Sequence, residues 1–226
     1  MIAAILLGAG SGLRFGGPIS KQFMMVGGRS LLEYSALALF NSSLIDSLIY
    51  VAKSGEEETL ESILGSYPGH KLITLGGAER SHSVLNGLRA CDPNTEFVLI
   101  HDGVRPNLSP KLVHAMIMEV KELSIGIVPV IPISDTIKQF DGEYLLNTVN
   151  REELVQVQTP QAYPYRMILE AYEKGLEEGY IGTDDAAYAY RYGIPVKAIQ
   201  GNVTNLKITN QEDLNLFEYY LSRGIK

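Results

Sequence analysis

The chain contains six β-prone runs: IAAILL (2–7), SLIYVA (47–52), KLITL (71–75), FVLIH (97–101), IGIVPVI (125–131) and PVKAI (195–199). Several are apolar on consecutive residues, where a strand with one wet face would alternate. A strand apolar on both sides must be covered on both sides, and the usual arrangement that achieves this is a parallel sheet with helices on each face. Helix signals fall between the runs. Ser30 with Glu33 and Thr209 with Glu212 have capping-box spacing, and Ser109 precedes Pro110 as an N-cap precedes a first-turn proline. Helices are therefore predicted from about 31, 110 and 210. In the second of these, Leu112, Val113, Met116, Ile117 and Val120 share one face, which is read as core. The fold class is α/β, and 226 residues, 46% of them hydrophobic, suit one domain with a sizeable core.

One stretch departs from the alternation. DTIKQF and EYLLNTV, within 135–149, flank Asp141-Gly142, a dipeptide suited to a type I′ turn. This predicts an antiparallel hairpin that projects from the domain. A lone two-stranded ribbon is marginal in water, so a second subunit is its expected partner.

Charge and cysteine usage exclude several classes. A formal net charge of −7 gives no general attraction for nucleic acid or an anionic membrane. One cysteine, Cys91, allows no disulfide within the chain, and His70, His82, His101 and His114 have no metal-ligand spacing. The apolar opening MIAAILLGAG is too short to span a bilayer and has no basic flank, so the expected location is cytoplasmic.

After the first run comes a glycine-rich loop, GAGSGLRFGGPISKQF. It is not a dinucleotide fingerprint: from Gly8 the sixth position is Leu13, and Lys53 stands where an acidic residue would be required. The lysine and hydroxyl residue of a P-loop are also missing. What remains is a strand and a run of small residues, Gly8, Ala9, Gly10 and Gly12, followed by two cations, Arg14 and Lys21. Such a loop lets backbone N–H groups approach phosphate oxygens, as a nucleoside triphosphate requires. Farther on, FVLIHDGVRP places Asp102 at the carboxyl end of a central strand, where open α/β sheets bind ligands. Asp102 reads either as a loop cap or as a ligand for Mg²⁺ or another divalent cation that takes its remaining donors from phosphate and water. Thr183 before Asp184 and Asp185 reads as an ordinary helix start. NLKIT (205–209) reads as a short strand in which Lys207 faces away from Leu206 and Ile208.

Together GAGSGLRF…SKQF, GGAERSHSVLNGL (76–88), HDGVRP, SDTIK, NREELVQVQTPQAY (150–163), TDDAA and NLKIT resemble the 2-C-methyl-D-erythritol 4-phosphate cytidylyltransferases of isoprenoid biosynthesis. The likeness runs through nearly the whole chain in the family's order. It implies one Rossmann-like nucleotidyltransferase domain over 1–226, with 135–160 as an arm for dimerisation and substrate. It also implies a Mg²⁺-dependent homodimer acting on CTP and a polyol phosphate. Carried onto the matching positions, Arg14, Lys21 and Lys207 stabilise the charge of the reacting phosphates and Asp102 holds the metal. Gly8, Ala9, Gly10, Gly12, Gly77 and Ser83 meet the nucleotide. Asp135, Thr136 and Arg151 line the acceptor pocket across the dimer, with Thr159 near. Ala78 stands where many relatives carry aspartate, which removes a side chain from the base or ribose site. Arg80 reads equally as a brace of its loop or as a functional group.

Three other readings can be weighed on the residues. Val104 before Arg105 and Asn150 before Arg151 lean toward a ribitol 5-phosphate cytidylyltransferase, whereas EYS (33–35), GGAER, DTIK and TDDAA lean back. A non-catalytic nucleotide sensor on the same fold should lack the metal and lysine ligands, yet Lys21, Asp102 and Lys207 are present. An NAD-dependent enzyme is disfavoured by Leu13 and Lys53.

Overall fold

A computed structural model describes residues 1–10, 20–65 and 70–225. Strand β1 (Ile2–Leu7) opens the chain. From Ser20 come a 3-10 turn (Lys21–Phe23), a small ribbon of β2 (Met25–Val26) and β3 (Arg29–Ser30), then α1 (Leu31–Phe40), β4 (Ser47–Ala52), α2 (Glu57–Leu64) and β5 (His70–Leu75). Helix α3 (Arg80–Arg89), β6 (Phe97–Asp102), α4 (Pro110–Leu123) and β7 (Gly126–Pro132) follow. A hairpin of β8 (Ile137–Phe140) and β9 (Leu145–Val149) precedes a 3-10 turn (Arg151–Glu153), β10 (Val155–Val157) and β11 (Gln161–Pro164). The chain closes with α5 (Tyr165–Glu177), α6 (Asp185–Arg191), β12 (Val196–Gln200) and α7 (Gln211–Arg223).

The main sheet runs β5-β4-β1-β6-β11-β7. On β7, β12 takes one edge while β11 and β10 share the other, because β7 residues 127 and 130 pair on both sides. All pairings are parallel except those of β10 and β11. The consecutive apolar residues of β1 show why cover is needed on both faces. Ile2, Ala4 and Leu6 point into a core built with Leu32 and Leu39 of α1, Leu60 of α2 and Met116 of α4. Ala3 and Ile5 point into a second core with Val84 and Leu88 of α3, Ile168 and Tyr172 of α5 and Tyr188 of α6. Truncating any of these large side chains to alanine should cost about 2–5 kcal/mol, because the surrounding structure cannot fully close the cavity. The expected face of α4 is the buried one, with Val113, Met116, Ile117 and Val120 fully covered and Leu112 partly so.

Local chemistry moves some boundaries. The box at Ser30 forms as expected, with Glu33 reaching back to the Ser30 amide at 2.7 Å. The later box sits one residue beyond Thr209: Asn210 caps α7 and Asp213 closes it, since the Asp213 carboxylate can also accept from the Thr209 amide and hydroxyl. The cap of α6 is Asp184, not Thr183, and its carboxylate accepts from the Ala187 amide at 2.9 Å. Segment 205–209 forms no strand. Asn205 instead bonds to the Thr159 carbonyl, and Ile208 N donates to Val104 O, so Lys207 still faces opposite to buried Ile208.

The hairpin forms, but with a four-residue connection in place of the two-residue type I′ turn. Asp141 Oδ1 accepts from the amides of Glu143 and Tyr144, which widens the loop, and only Gly142 takes a positive φ, of 108°. Strands β10 and β11 escaped the sequence reading because VQVQTPQAY has neither a long apolar run nor a turn signal.

Candidate active site

The chain crosses from β1 through α1 to β4 on one side, and β6 lies on the other, so β1 and β6 flank the topological switch point of the sheet. At their carboxyl ends opens a cleft of about 570 Å³. Gly8, Ala9 and Gly10 form one wall, Lys21 and Gln22 stand beside them, and Gly77, Ala78, Glu79, Arg80 and Ser83 form another. Asp102, Val104 and Lys207 supply the floor. Segments up to two hundred residues apart in sequence thus meet at one place.

The glycine wall is shaped by what lies behind it. Gly8 N donates to Val51 O at 2.9 Å, and a Cβ on Gly8 would lie 1.7 Å from the buried Tyr50 hydroxyl. Gly76 is equally tight, since its Cβ would fall 2.4 Å from that of Ala9. Ser83 Oγ accepts from Gly77 N at 3.1 Å and donates to Glu79 O at 3.2 Å, so it holds the 76–79 loop in shape.

Asp102 is the electrostatic centre. Its carboxylate lies 2.8 Å from Lys207 Nζ, 3.5 Å from Arg80 Nε and 4.0 Å from Arg105 Nε. Burial alone would push its carboxyl up, but Arg80, Lys207 and Arg105 outweigh that and hold it well below the usual carboxylate range. Behind it the hydrogen-bond directions are determined. His101 Nε2 faces the Arg105 carbonyl at 3.3 Å and must donate, so Nδ1 accepts from the Thr159 hydroxyl at 3.0 Å. Thr159 Oγ1 in turn accepts the Asp102 amide at 3.1 Å. Burial pushes the His101 imidazole down to about 4, so the ring is neutral near pH 7.

Arg80 links this centre to the helical layer. It makes a two-pronged pair with Asp185 at 2.9 and 3.0 Å, and Tyr172 donates to the same fully buried carboxylate. The brace reading of Arg80 therefore has a concrete partner, while its position in the cleft wall keeps it within reach of a ligand. The sequence reading missed Asp185. Asp185 is the first residue of α6, beside the capping Asp184, and nothing local in the sequence marks it as buried.

Gly8, Ala9, Gly10, Lys21, Gly77, Ser83, Asp102 and Lys207 thus line one cleft. Gly12 and Arg14 lie outside the described residues. Thr136 and Arg151 line a separate hollow at the base of the hairpin that shares no residue with the cleft, and Asp135 lies exposed beside Thr136. Arg151 there donates to the Ser134 carbonyl. Thr159 is parted from these three, buried beneath Asp102 with its hydroxyl engaged on both sides.

A glycine wall and a ring of cations at the switch point of a mostly parallel sheet define a nucleotidyltransferase-type α/β protein. The chain belongs to the 2-C-methyl-D-erythritol 4-phosphate cytidylyltransferase (IspD) family, whose model matches residues 2–223. The enzyme of that name from Geobacillus thermodenitrificans is 37% identical over 224 residues, covering 98% of this chain and 97% of the relative. The Clostridioides difficile enzyme is 35% identical over 224 residues, covering 98% and 94%. The crystal structure of 4-diphosphocytidyl-2C-methyl-D-erythritol synthase from Anaerococcus prevotii superposes with a TM-score of 0.86 at 35% identity, covering 98% of both chains.

Proposed function

We propose that this protein transfers CMP from CTP to 2-C-methyl-D-erythritol 4-phosphate and releases pyrophosphate. The observation that carries the reading is the ring of Lys207, Arg80 and Arg105 around Asp102, facing the Gly8–Gly10 wall, in a chain of this family. A phosphate oxygen of the acceptor attacks the α-phosphorus of CTP in line. The bond from that phosphorus to the bridging oxygen breaks, and pyrophosphate leaves with the electron pair. A phosphate monoester is already nucleophilic near pH 7, so no carboxylate base and no covalent enzyme intermediate are needed. The protein's task is to bring two anions together and offset the charge that gathers in the transition state. Lys21 grips the triphosphate, and Lys207 neutralises the α-phosphate. The backbone at Gly77 meets the base with Ser83 holding its loop, and Arg14 completes the grip from a segment outside the described residues.

No group of three His, Cys, Asp or Glu side chains among the described residues could hold a metal by itself. The donor set nonetheless fits Mg²⁺, because a hard cation that arrives on a triphosphate takes most of its ligands from phosphate and water and needs one carboxylate from the protein. Asp102 is that carboxylate at the cleft. Bound there, the ion would add positive charge beside the reacting phosphates.

The acceptor site is proposed to be completed across a homodimer, by Asp135, Thr136 and Arg151 of the arm within 135–160. Phe140, Tyr144, Leu145 and Leu146 leave the hairpin with a large exposed apolar surface, which a second subunit would cover. The buried single cysteine suits a reducing cytoplasm, and no helix among the described residues is long and apolar enough to cross a membrane.

Pyrophosphate release with CTP and an acceptor panel tests the assignment. Turnover with methylerythritol phosphate should far exceed that with ribitol 5-phosphate, and the reverse order would overturn it. The shared site has its own test in a heterodimer of Arg151→Ala and Lys21→Ala chains, isolated through two different tags. One of its two sites carries both lesions and the other neither, so activity returns. A heterodimer that stays inactive refutes the shared site and leaves the assignment standing.

A further inference from the structure

Both ends of the segment from Gly8 to Gln22 are fastened to one place, the end of β4 and the turn after it. At the leading end Gly8 N bonds to Val51 O and Gly8 packs against the Tyr50 hydroxyl. At the trailing end the anchor is Glu56. Its Oε1 accepts from the Ser20 hydroxyl and its Oε2 from Gln22 Nε2 at 2.9 Å. Those two donors flank Lys21 on a single 3-10 turn. Lys21 and Gln22 face the cleft, and Glu56 does not.

Glu56 is placed oddly for this task. It occupies the N-cap position of α2, where the helix's own free amides are available to an acidic side chain. Here it makes no capping bond. Both oxygens point to the other segment instead. A carboxylate that grips residues i and i+2 of a tight turn fixes the plane of that turn, and so fixes the direction in which residue i+1 leaves it. Gln22 is 2% exposed, so its side chain has little freedom to re-form the contact with water or another partner.

We propose that Glu56 is a positioning residue for the nucleoside triphosphate: acting through Ser20 and Gln22, it aims the Lys21 ammonium at the phosphates. The inference rests on the role given to Lys21 above and extends it to a residue behind the site. It predicts a defect specific to CTP. Glu56→Ala should raise the KM for CTP and lower kcat/KM for CTP about 10- to 100-fold, the size of loss expected when a charge-stabilising group is misplaced by about an ångström. The KM for the acceptor should not move, because Thr136 and Arg151, proposed for the acceptor, line a hollow that shares no residue with the clamp.

Glu56→Gln keeps the clamp without its charge. The amide oxygen can accept from Gln22 Nε2 and the amide nitrogen can donate to Ser20 Oγ, so CTP kinetics should return to within about fivefold of the parent. In a Lys21→Ala background, Glu56→Ala should add no more than about a twofold change, because the group it positions is gone. A structural role would reduce the amount of active enzyme and leave the KM for CTP in place.

The measurements are steady-state pyrophosphate release for the four variants, with circular dichroism and thermal melting to confirm the fold. Unchanged CTP parameters in a folded Glu56→Ala protein, alongside a crippled Lys21→Ala, refute the clamp and leave the role of Lys21 intact. Additive losses in the double variant also refute it. Normal turnover in Lys21→Ala removes the foundation and the clamp together. Should Glu56→Ala fail to fold, Ser20→Ala removes one of the two bonds and should raise the CTP KM in smaller measure, and no change there counts against the proposal.

Discussion

Replacing Asp185 by asparagine should be among the most damaging isosteric changes this fold can suffer. Asp185 is fully buried and accepts both prongs of the Arg80 guanidinium, at 2.9 and 3.0 Å, together with the Tyr172 hydroxyl. An amide of the same shape keeps one acceptor, turns a donor toward the guanidinium, and removes the charge. Breaking a buried pair by removing one partner typically costs about 3–5 kcal/mol, because the remaining charge is left uncompensated. Two features favour the low end. The Arg80 side chain is 28% exposed and reaches some water, and Asp102 still stands 3.5 Å away. The expected cost is therefore about 3 kcal/mol, or a fall in Tm of about 6–12 °C for a chain of this size. Urea unfolding at constant m-value gives the number, and a cycle with Arg80→Met tests its origin. If the loss is an unpaired charge, Arg80→Met combined with Asp185→Leu should cost about 2 kcal/mol less than the sum of the two single changes. A loss below about 1 kcal/mol for Asp185→Asn, or strict additivity in the cycle, would refute the argument.

Lys207→Ala should keep the fold and lower turnover by about two to three orders of magnitude, as loss of a charge-stabilising group does, and near-normal turnover would remove Lys207 from the mechanism. Tyr50 places its hydroxyl in the core without a hydrogen-bond partner among the described residues. Tyr50→Phe should therefore be neutral or stabilise by up to about 1 kcal/mol in a melt, and a clear destabilisation would show that the hydroxyl is bonded. The His101 imidazole is pushed by burial down to about 4, below its ordinary 6.5, so the unfolded chain takes up that proton first as pH falls. Its contribution to stability is thus complete above about pH 6.5 and is lost on acidification toward pH 4, by about 3 kcal/mol in all. Unfolding measured across that window should steepen in the parent relative to His101→Asn, and identical slopes would show that His101 is not the titrating group.

The parts of the fold legible in the sequence were those with local causes. Consecutive apolar residues in IAAILL and FVLIH required cover on both faces, and Ser30 with Glu33 fixed one helix start to the residue. Strands β10 and β11 were not legible, because their place in the sheet is set by β6 and β7 on either side and not by their own composition. The site divides along the same line. Gly8 and Asp102 could be placed from the end of a strand alone. Asp185 and Glu56 could not: Asp185 looked like ordinary helix-start chemistry and Glu56 carried no signal at all, and only the fold shows that one turns inward to Arg80 and the other to Ser20 and Gln22.

A protein with a net charge of −7 that handles two polyanions has to concentrate cations in one place, and the sheet's topology does so. Parallel strands deliver their carboxyl ends to one edge, so the residues after β1 and β6, at the start of α3 and before α7 converge there, bringing Lys21, Arg80, Arg105 and Lys207 from four parts of the chain. Cations gathered this closely repel one another, at about 4 kcal/mol per pair at 4 Å for an effective dielectric of 20. Asp102 offsets that repulsion for the three that surround it and fixes where they converge, because its own amide is held by the Thr159 hydroxyl, which is held in turn by His101. The carboxylate thus serves the cation cluster before any metal is considered. Its depressed pKa has the same cause: the field of Arg80, Lys207 and Arg105 that keeps Asp102 ionised is the field that a triphosphate would meet on entering the cleft.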